Sequence, residues 1–252
     1  MNKIALITGA SSGIGKATAQ VLALNGFDLI ITGRRKPMLD ELSEKITKET
    51  NAEVLSLCFD VRNFDEVEKA FESIPQRWEN IDLLINNAGL AVGLAPVHTG
   101  VVDDWERMID TNVKGLLYVS RLVTPRMVAR KAGHIINLSS IAGHEVYANG
   151  AAYCASKHAV MAITKTMRIE LLPFGIKVSS ISPGMVDTEF STVRFKGDKE
   201  KADNVYKGLT PLYAIDIAEA VLFMATRPTH VNIDELIIMP TDQASARDFH
   251  RS

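Results

Sequence analysis

Tyr153 and Lys157 stand four residues apart in AAYCASKHAVMAITKTMRIELLPF, a stretch of helical period over 151–174. On a helix that interval is one turn, so both side chains share a face. A free phenol, with a pKa of about 10, is a poor base at neutral pH. A neighbouring ammonium favours the phenolate and lowers that value. Such a pair can move a proton to or from a hydroxyl or carbonyl oxygen. A further hydroxyl lies upstream in Leu138-Ser139-Ser140-Ile141-Ala142-Gly143. From there Ser140 could hydrogen-bond the same substrate oxygen. Ser139 competes for that role, and spacing alone does not separate the two.

A second group of residues suits a phosphate. Thr8-Gly9-Ala10-Ser11-Ser12-Gly13-Ile14-Gly15 joins an apolar run to a helical one. Gly9, Gly13 and Gly15 permit a tight turn and a close approach of backbone to ligand. The helix start that follows offers free N–H groups and a positive dipole end to a pyrophosphate. The spacing is G-x-x-x-G-x-G, neither the common G-x-G-x-x-G nor a loop ending in G-K-[ST]. Where a dinucleotide fold usually carries an acidic residue for the ribose hydroxyls of NAD, this chain has Arg34 and Arg35. Two guanidinium groups grip a 2′-phosphate bidentately. Asp28 stands at the far end of the same strand. The pattern therefore predicts NADP as cofactor.

These residues need a scaffold, and the chain supplies an alternating one. Short β-branched runs at 3–8, 28–32, 53–58, 82–86, 133–138, 177–182 and 234–239 read as strands. Helical periods fall near 13–25, 37–50, 63–77, 103–131, 151–174 and 212–226. Alternation of this kind predicts an α/β fold: a single-domain, Rossmann-type, doubly wound parallel sheet of about seven strands with helices on both faces. One domain is expected over 1–252. Only 185–211, polar and weakly periodic after a strand, breaks the rhythm; it is either a substrate lid or a mobile surface loop.

Composition removes several classes. The 252 residues are 46% hydrophobic with a formal net charge of -2, so neither disorder nor electrostatically driven nucleic-acid binding is expected. Cys58 and Cys154 are too few for a disulfide scaffold or a zinc ribbon, and no metal site is expected. No apolar run approaches the roughly 18 residues of a membrane helix, and no targeting signal is visible. The expected setting is the cytoplasm, without membrane partners.

Four motifs in order resemble those of the short-chain dehydrogenase/reductase family, over essentially the whole chain. They are TGASSGIG at 8–15; Asn86-Asn87-Ala88-Gly89; Ser140 with Tyr153-Cys154-Ala155-Ser156-Lys157; and Pro183-Gly184 followed by Thr188. The resemblance favours Ser140 over Ser139. It also implies Asn112 as a fourth catalytic residue, anchoring a water relay behind Lys157. It implies that Tyr153 exchanges the proton, and that Lys157 lowers its pKa and holds the nicotinamide ribose. Asp60 and Val61 would flank the adenine, and Asn87, Ala88 and Gly89 the adenosine ribose. Pro183, Gly184, Val186 and Thr188 would hold the nicotinamide amide.

RWENIDLLINNAGLA, DDWERMIDTNVKGL, TEFSTVRFKGD and HVNIDELIIMP are similar, more narrowly, to the NADP-dependent 3-hydroxy acid dehydrogenases, a group that includes serine dehydrogenases. That likeness implies a short 3-hydroxy acid or its semialdehyde as substrate, with broad ketone, aldehyde or 3-oxoacyl reduction as the alternative. A carboxylate needs a cation, and Arg194 and Lys196 are the candidates, unless both are solvated loop charges. His144, just past Ser140, could face the pocket. The family is commonly tetrameric, so a homotetramer is expected, and the polar tail 241–252 could reach a neighbouring subunit.

Overall fold

The computed structural model describes residues 2–252. Seven strands form one wholly parallel sheet: β1 (Lys3–Ile7), β2 (Phe27–Gly33), β3 (Val54–Cys58), β4 (Ile81–Asn86), β5 (His134–Leu138), β6 (Lys177–Pro183) and, last in the chain, β9 (Glu235–Ile238). Their spatial order is β3-β2-β1-β4-β5-β6-β9. The chain runs outward from β1 to β3, then returns across β1 to start β4. That reversal opens a crevice at the carboxyl ends of β1 and β4, where α/β sheets bind ligands.

Strand period sorts the core. Ala5, Ile7, Leu29, Ile31 and Ile85 point to one face, against α1 (Gly13–Leu24), α2 (Lys36–Glu49) and α9 (Ala214–Ala225). Ile4, Leu6, Ile30, Leu84 and Ile135 point to the other. That face is covered by α3 (Phe64–Glu72), α5 (Leu116–Arg130) and α6 (Ala151–Leu171). Apolar residues on both faces of each strand are what a buried parallel sheet requires.

Three expected elements differ. The helix expected over 63–77 ends at Glu72. Pro75 cannot continue it and biases the residue before it away from helical backbone. The helix expected over 103–131 is divided into α4 (Val102–Ile109), a π-helical stretch over Asp110–Gly115, and α5. The segment 185–211 is neither a plain loop nor unstructured. It holds β7 (Val186–Asp187), α7 (Glu189–Arg194) and α8 (Lys199–Asn204). β7 pairs with β8 (Leu212–Tyr213) just beyond it.

The C-terminal tail folds back onto this same segment. The Met185 N–H donates to Gln243 Oε1 (2.8 Å), and the Thr210 N–H to Asp242 Oδ2 (2.9 Å). The Ser252 N–H donates to the Gly208 carbonyl (2.9 Å). Polar tail residues thus meet backbone groups that the short elements of the segment leave unpaired. Among the described residues, no helix is long and apolar enough to cross a membrane.

Candidate active site

A cleft of about 360 Å³ runs along the carboxyl edge of the sheet. It begins at the glycine loop. Gly9 (φ +68°) and Gly13 (φ +52°) adopt left-handed backbone, which only glycine takes up without strain. A Cβ at Gly13 would stand in ordinary contact with Thr188, 3.4 Å from its side-chain carbons, so the backbone conformation is what selects glycine there. Ser11, Ser12 and Ile14 line the cleft with these two glycines. Gly15 does not; it lies beneath the loop, packed against the Asn87 amide. That amide donates to the Thr8 carbonyl (2.8 Å), and the Thr8 hydroxyl accepts from the Asn87 and Ala88 N–H groups (3.0 and 2.9 Å). The motifs after β1 and β4 are therefore one rigid unit.

At one end of the cleft stand Arg34 and Arg35, with Asp60 and Val61 opposite. Arg35 Nη2 donates to Ser11 Oγ (3.2 Å), and its Nη1 to Glu189 Oε2 (3.1 Å). Arg34 is mostly exposed and lies 3.8 Å from Asp60. Asp60 is held bidentately by Arg62, whose Nε donates to Oδ1 (3.1 Å) and Nη2 to Oδ2 (2.7 Å). Asp60 stays below the usual carboxylate range: burial would raise it, and the Arg62 bonds outweigh that effect. Asn87, Ala88 and Gly89 line the middle, and Pro183, Gly184, Val186 and Thr188 line the roof beside Ser140, Tyr153 and Lys157. Length, glycine-lined centre and cationic end together fit a phosphorylated dinucleotide.

At the other end, Tyr153 and Lys157 lie on the buried face of α6. Lys157 Nζ donates to the Leu138 carbonyl (2.8 Å) and lies 5.9 Å from the Tyr153 ring centroid. Burial pulls the lysine pKa down to about 8. Ser139 turns away to donate to the Lys157 carbonyl (3.4 Å). Ser140 points toward Tyr153, donates to the Pro183 carbonyl (3.5 Å) and caps the turn over Ile141–Gly143. The Tyr153 pKa is raised by burial, opposed first by the Arg194 guanidinium and then by Ser140. Arg194, with its Cζ 5.1 Å from the ring centroid, is thus a second cation facing the buried phenol, beside the lysine expected from spacing. Lys157 is itself desolvated and tied to a backbone carbonyl.

The buried ammonium makes a testable prediction for stability. Below pH 8 the folded protein carries a charge on Lys157 that burial disfavours, and this cost fades as pH rises from about 8 to 10.5. The shift corresponds to roughly 3 kcal/mol. Loss of the bond to Leu138 offsets about 1 to 2 kcal/mol of it. Lys157→Met should therefore be more stable than wild type at pH 7, by on the order of 1–2 kcal/mol in urea denaturation. The gap should close as pH approaches 10. A methionine variant that is less stable at pH 7, with no dependence on pH, would contradict a burial cost on Lys157.

Asn112 does not line the cleft. It sits in the π-helical stretch, buried, and brackets Leu90: Oδ1 accepts from the Leu90 N–H (2.8 Å), and Nδ2 donates to the Leu90 carbonyl (2.9 Å). Nδ2 also donates to Ser156 Oγ (2.9 Å). π-bulges of this kind recur at functional sites. The amide holds the loop after β4 against α6.

The two expected substrate cations part company. Arg194 lies in the last turn of α7 and lines a small cavity with Tyr153, Tyr147, Trp105 and Asp104. Lys196 lines neither this cavity nor the cleft, and it corrects the expectation of a second carboxylate anchor. Its Nζ pairs with Asp104 (2.8 Å), a carboxylate only 5% exposed that needs a partner where it stands. The Gly93 N–H donates to the Arg194 carbonyl (3.0 Å), so the end of α7 is pinned to the loop after β4. His144 also lines neither; its Nε2 is 2.7 Å from Glu235 and 3.0 Å from Ser182 Oγ. Tyr147, Trp105, Thr111 and Phe190 also border the site; the last three lie in stretches that carry the resemblance, which implies no role for them, and Tyr147 lies in none. Tyr147, six residues before Tyr153, obeys no helical spacing that could have marked it. No group of three or more His, Cys, Asp or Glu that could hold a metal occurs among the described residues.

Known proteins resemble the chain along its length. The sequence profile described as short chain dehydrogenase matches residues 3–199. An NADP-dependent 3-hydroxy acid dehydrogenase, YdfG, of Salmonella typhi is 47% identical over 251 residues, covering 99% of this chain and 100% of that one. An NADP-dependent 3-hydroxy acid dehydrogenase of Schizosaccharomyces pombe is 42% identical over 250 residues, covering 99% and 96%. Among solved structures, the closed form of a serine dehydrogenase complexed with NADP+ superposes with a TM-score of 0.92 at 44% identity, covering 99% and 100%. With the glycine loop, the Tyr–Lys pair and the doubly wound sheet in place, the chain belongs to the short-chain dehydrogenase family and is an oxidoreductase acting on CH–OH groups.

Proposed function

We propose that the protein is an NADP-dependent dehydrogenase of short 3-hydroxy acids, of the serine, allo-threonine or 3-hydroxypropionate type, and a reductase of their semialdehydes. The 3-hydroxy acid and serine dehydrogenase relatives support this reading. The observation that carries it is Arg194. Its guanidinium lies 5.1 Å from the Tyr153 ring centroid, with a buried Nε that has no partner. A cation set beside the proton-transfer residue suits a substrate whose carboxylate is close to its hydroxyl.

Bound NADP would supply the hydride acceptor or donor. Gly9, Ser11, Ser12, Gly13 and Ile14 would hold its pyrophosphate, and Arg34 and Arg35 its 2′-phosphate. Tyr153 takes the hydroxyl proton during oxidation and returns it during reduction. Ser140 orients the substrate oxygen. Lys157 keeps a positive charge beneath the phenol, and Asn112 fixes the Leu90 backbone that packs against this site. The segment 185–211 covers the site as a lid, carrying Arg194 to the substrate. The apolar side chains of Leu117 on α5 and Ile169 on α6, both exposed, support a homotetramer built on those helices.

Arg194→Ala should raise KM about 10- to 100-fold for hydroxy acids, as expected for loss of one or two charge-assisted hydrogen bonds. Neutral alcohols should be far less affected. The check is a panel of hydroxy acids, neutral alcohols, semialdehydes and acyl thioesters, followed by absorbance of the reduced nicotinamide. Equal losses on acidic and neutral substrates, or preferred turnover of acyl thioesters, would favour a broader carbonyl reductase.

A further inference from the structure

We propose that Tyr147 is a positioning residue of the carboxylate receptor: its hydroxyl holds the Arg194 guanidinium beside Tyr153 and leaves Nε free for the substrate. The inference rests on Arg194 being the substrate's partner.

Arginine has a long, flexible side chain, and fixing it costs rotamer entropy. Here several contacts fix it. Nη2 donates to the Tyr147 hydroxyl (3.1 Å). The guanidinium carbon lies 6.0, 5.1 and 5.0 Å from the ring centroids of Tyr147, Tyr153 and Phe190, within cation–π range. The Tyr147 hydroxyl is its one directional contact, and it sets which edge of the guanidinium is engaged. Nε remains buried and unpartnered.

Tyr147 is itself held firmly. Asn149 turns the chain through left-handed backbone (φ +67°), and the Gly150 N–H donates to the Tyr147 carbonyl (3.2 Å). The Tyr147 ring fills the space where a side chain at Gly150 would be, against the start of α6. Arg194 therefore takes its position from the loop that packs against the start of the helix carrying Tyr153.

The chemistry of the partner matters as well. A carboxylate in place of the phenol would neutralise Arg194 and compete with substrate. Burial pushes the Tyr147 pKa up to about 12, so it remains a neutral phenol. Asp104 lines the same cavity but is taken by Lys196 (2.8 Å). Arg194 thus keeps its charge for a ligand. Of the other groups facing Tyr153, Lys157 is a cation and Ser140 a neutral hydroxyl, so neither competes for it.

The test is steady-state kinetics of Tyr147→Phe, Arg194→Ala and the double variant, with NADP+ and two substrates of equal chain length: a 3-hydroxy acid and a neutral alcohol. Tyr147→Phe keeps the ring and removes only the hydroxyl. It should raise KM for the acid about tenfold, as for one hydrogen bond to a charged group, with kcat within about twofold. The neutral alcohol, assayed on the same sample, reports on the fold and should change far less. In the Arg194→Ala background, Tyr147→Phe should add nothing. An unchanged KM for the acid, or a full further loss in that background, would overturn the positioning role while leaving Arg194 as substrate anchor. If Arg194→Ala spares the acid, the proposed function itself falls, and the role of Tyr147 with it.

Discussion

Tyr153→Phe should lower turnover by about 10²- to 10⁴-fold, the range for loss of a positioned acid–base group. NADPH binding, followed by fluorescence titration, should stay within about threefold, a difference worth less than 1 kcal/mol. The contrast arises because only the hydroxyl is removed. The ring packs edge-to-face on Phe190 with centroids 5.7 Å apart, and phenylalanine keeps that packing. Lys157 keeps its bond to the Leu138 carbonyl. The cleft around the glycine loop, where most cofactor contacts are proposed, is untouched. Retention of more than a tenth of the activity would remove Tyr153 from the proton-transfer step.

The second large effect concerns the cofactor. Arg34→Asp with Arg35→Ala should weaken NADPH about 100-fold or more, since each charge-assisted contact to a phosphate contributes about 1.5–3 kcal/mol. NADH should weaken only severalfold. Within the protein both arginines have weak alternatives: Arg34 is 3.8 Å from Asp60, and the Arg35–Glu189 pair is exposed. Exposed pairs of this kind hold their partners loosely, which leaves the guanidinium groups available to a 2′-phosphate. Arg35 also supports the loop through Ser11, so some loss on NADH is expected and the ratio of the two cofactors is the diagnostic quantity. Equal weakening of both would place the 2′-phosphate elsewhere.

Much of the scaffold is legible in the chain. Each expected strand overlaps one of the seven in the sheet, because a parallel strand buried on both faces is rich in apolar and β-branched residues, with β6 and its three buried serines the most polar of them. The glycine loop is legible for a similar reason, since left-handed backbone at Gly9 and Gly13 selects the residue directly. Helix limits were less so. Apolar periodicity runs on past Pro75, whereas the helix stops at Glu72. The π-helical turn around Asn112 leaves no trace in periodicity, because a widened turn inside an amphipathic run changes hydrogen-bond register rather than composition. The segment 185–211 read as polar and irregular because its elements are short. They are held by contacts to the C-terminal tail and to the loop after β4, far away in the chain.

The active-site half divides along the same line. That Tyr153 and Lys157 share a face, and that Arg34 and Arg35 sit at a strand end, follows from local geometry, which period and turn chemistry encode within a few residues. That a second cation faces the phenol does not. Arg194 reaches Tyr153 only because α7 folds back over α6, and Lys196, two residues on, is diverted to Asp104. Tyr147 holds Arg194 from a loop that no motif marks. Desolvation and ion pairing depend on neighbours brought together from distant parts of the chain, so roles that rest on them emerge only once the chain has folded.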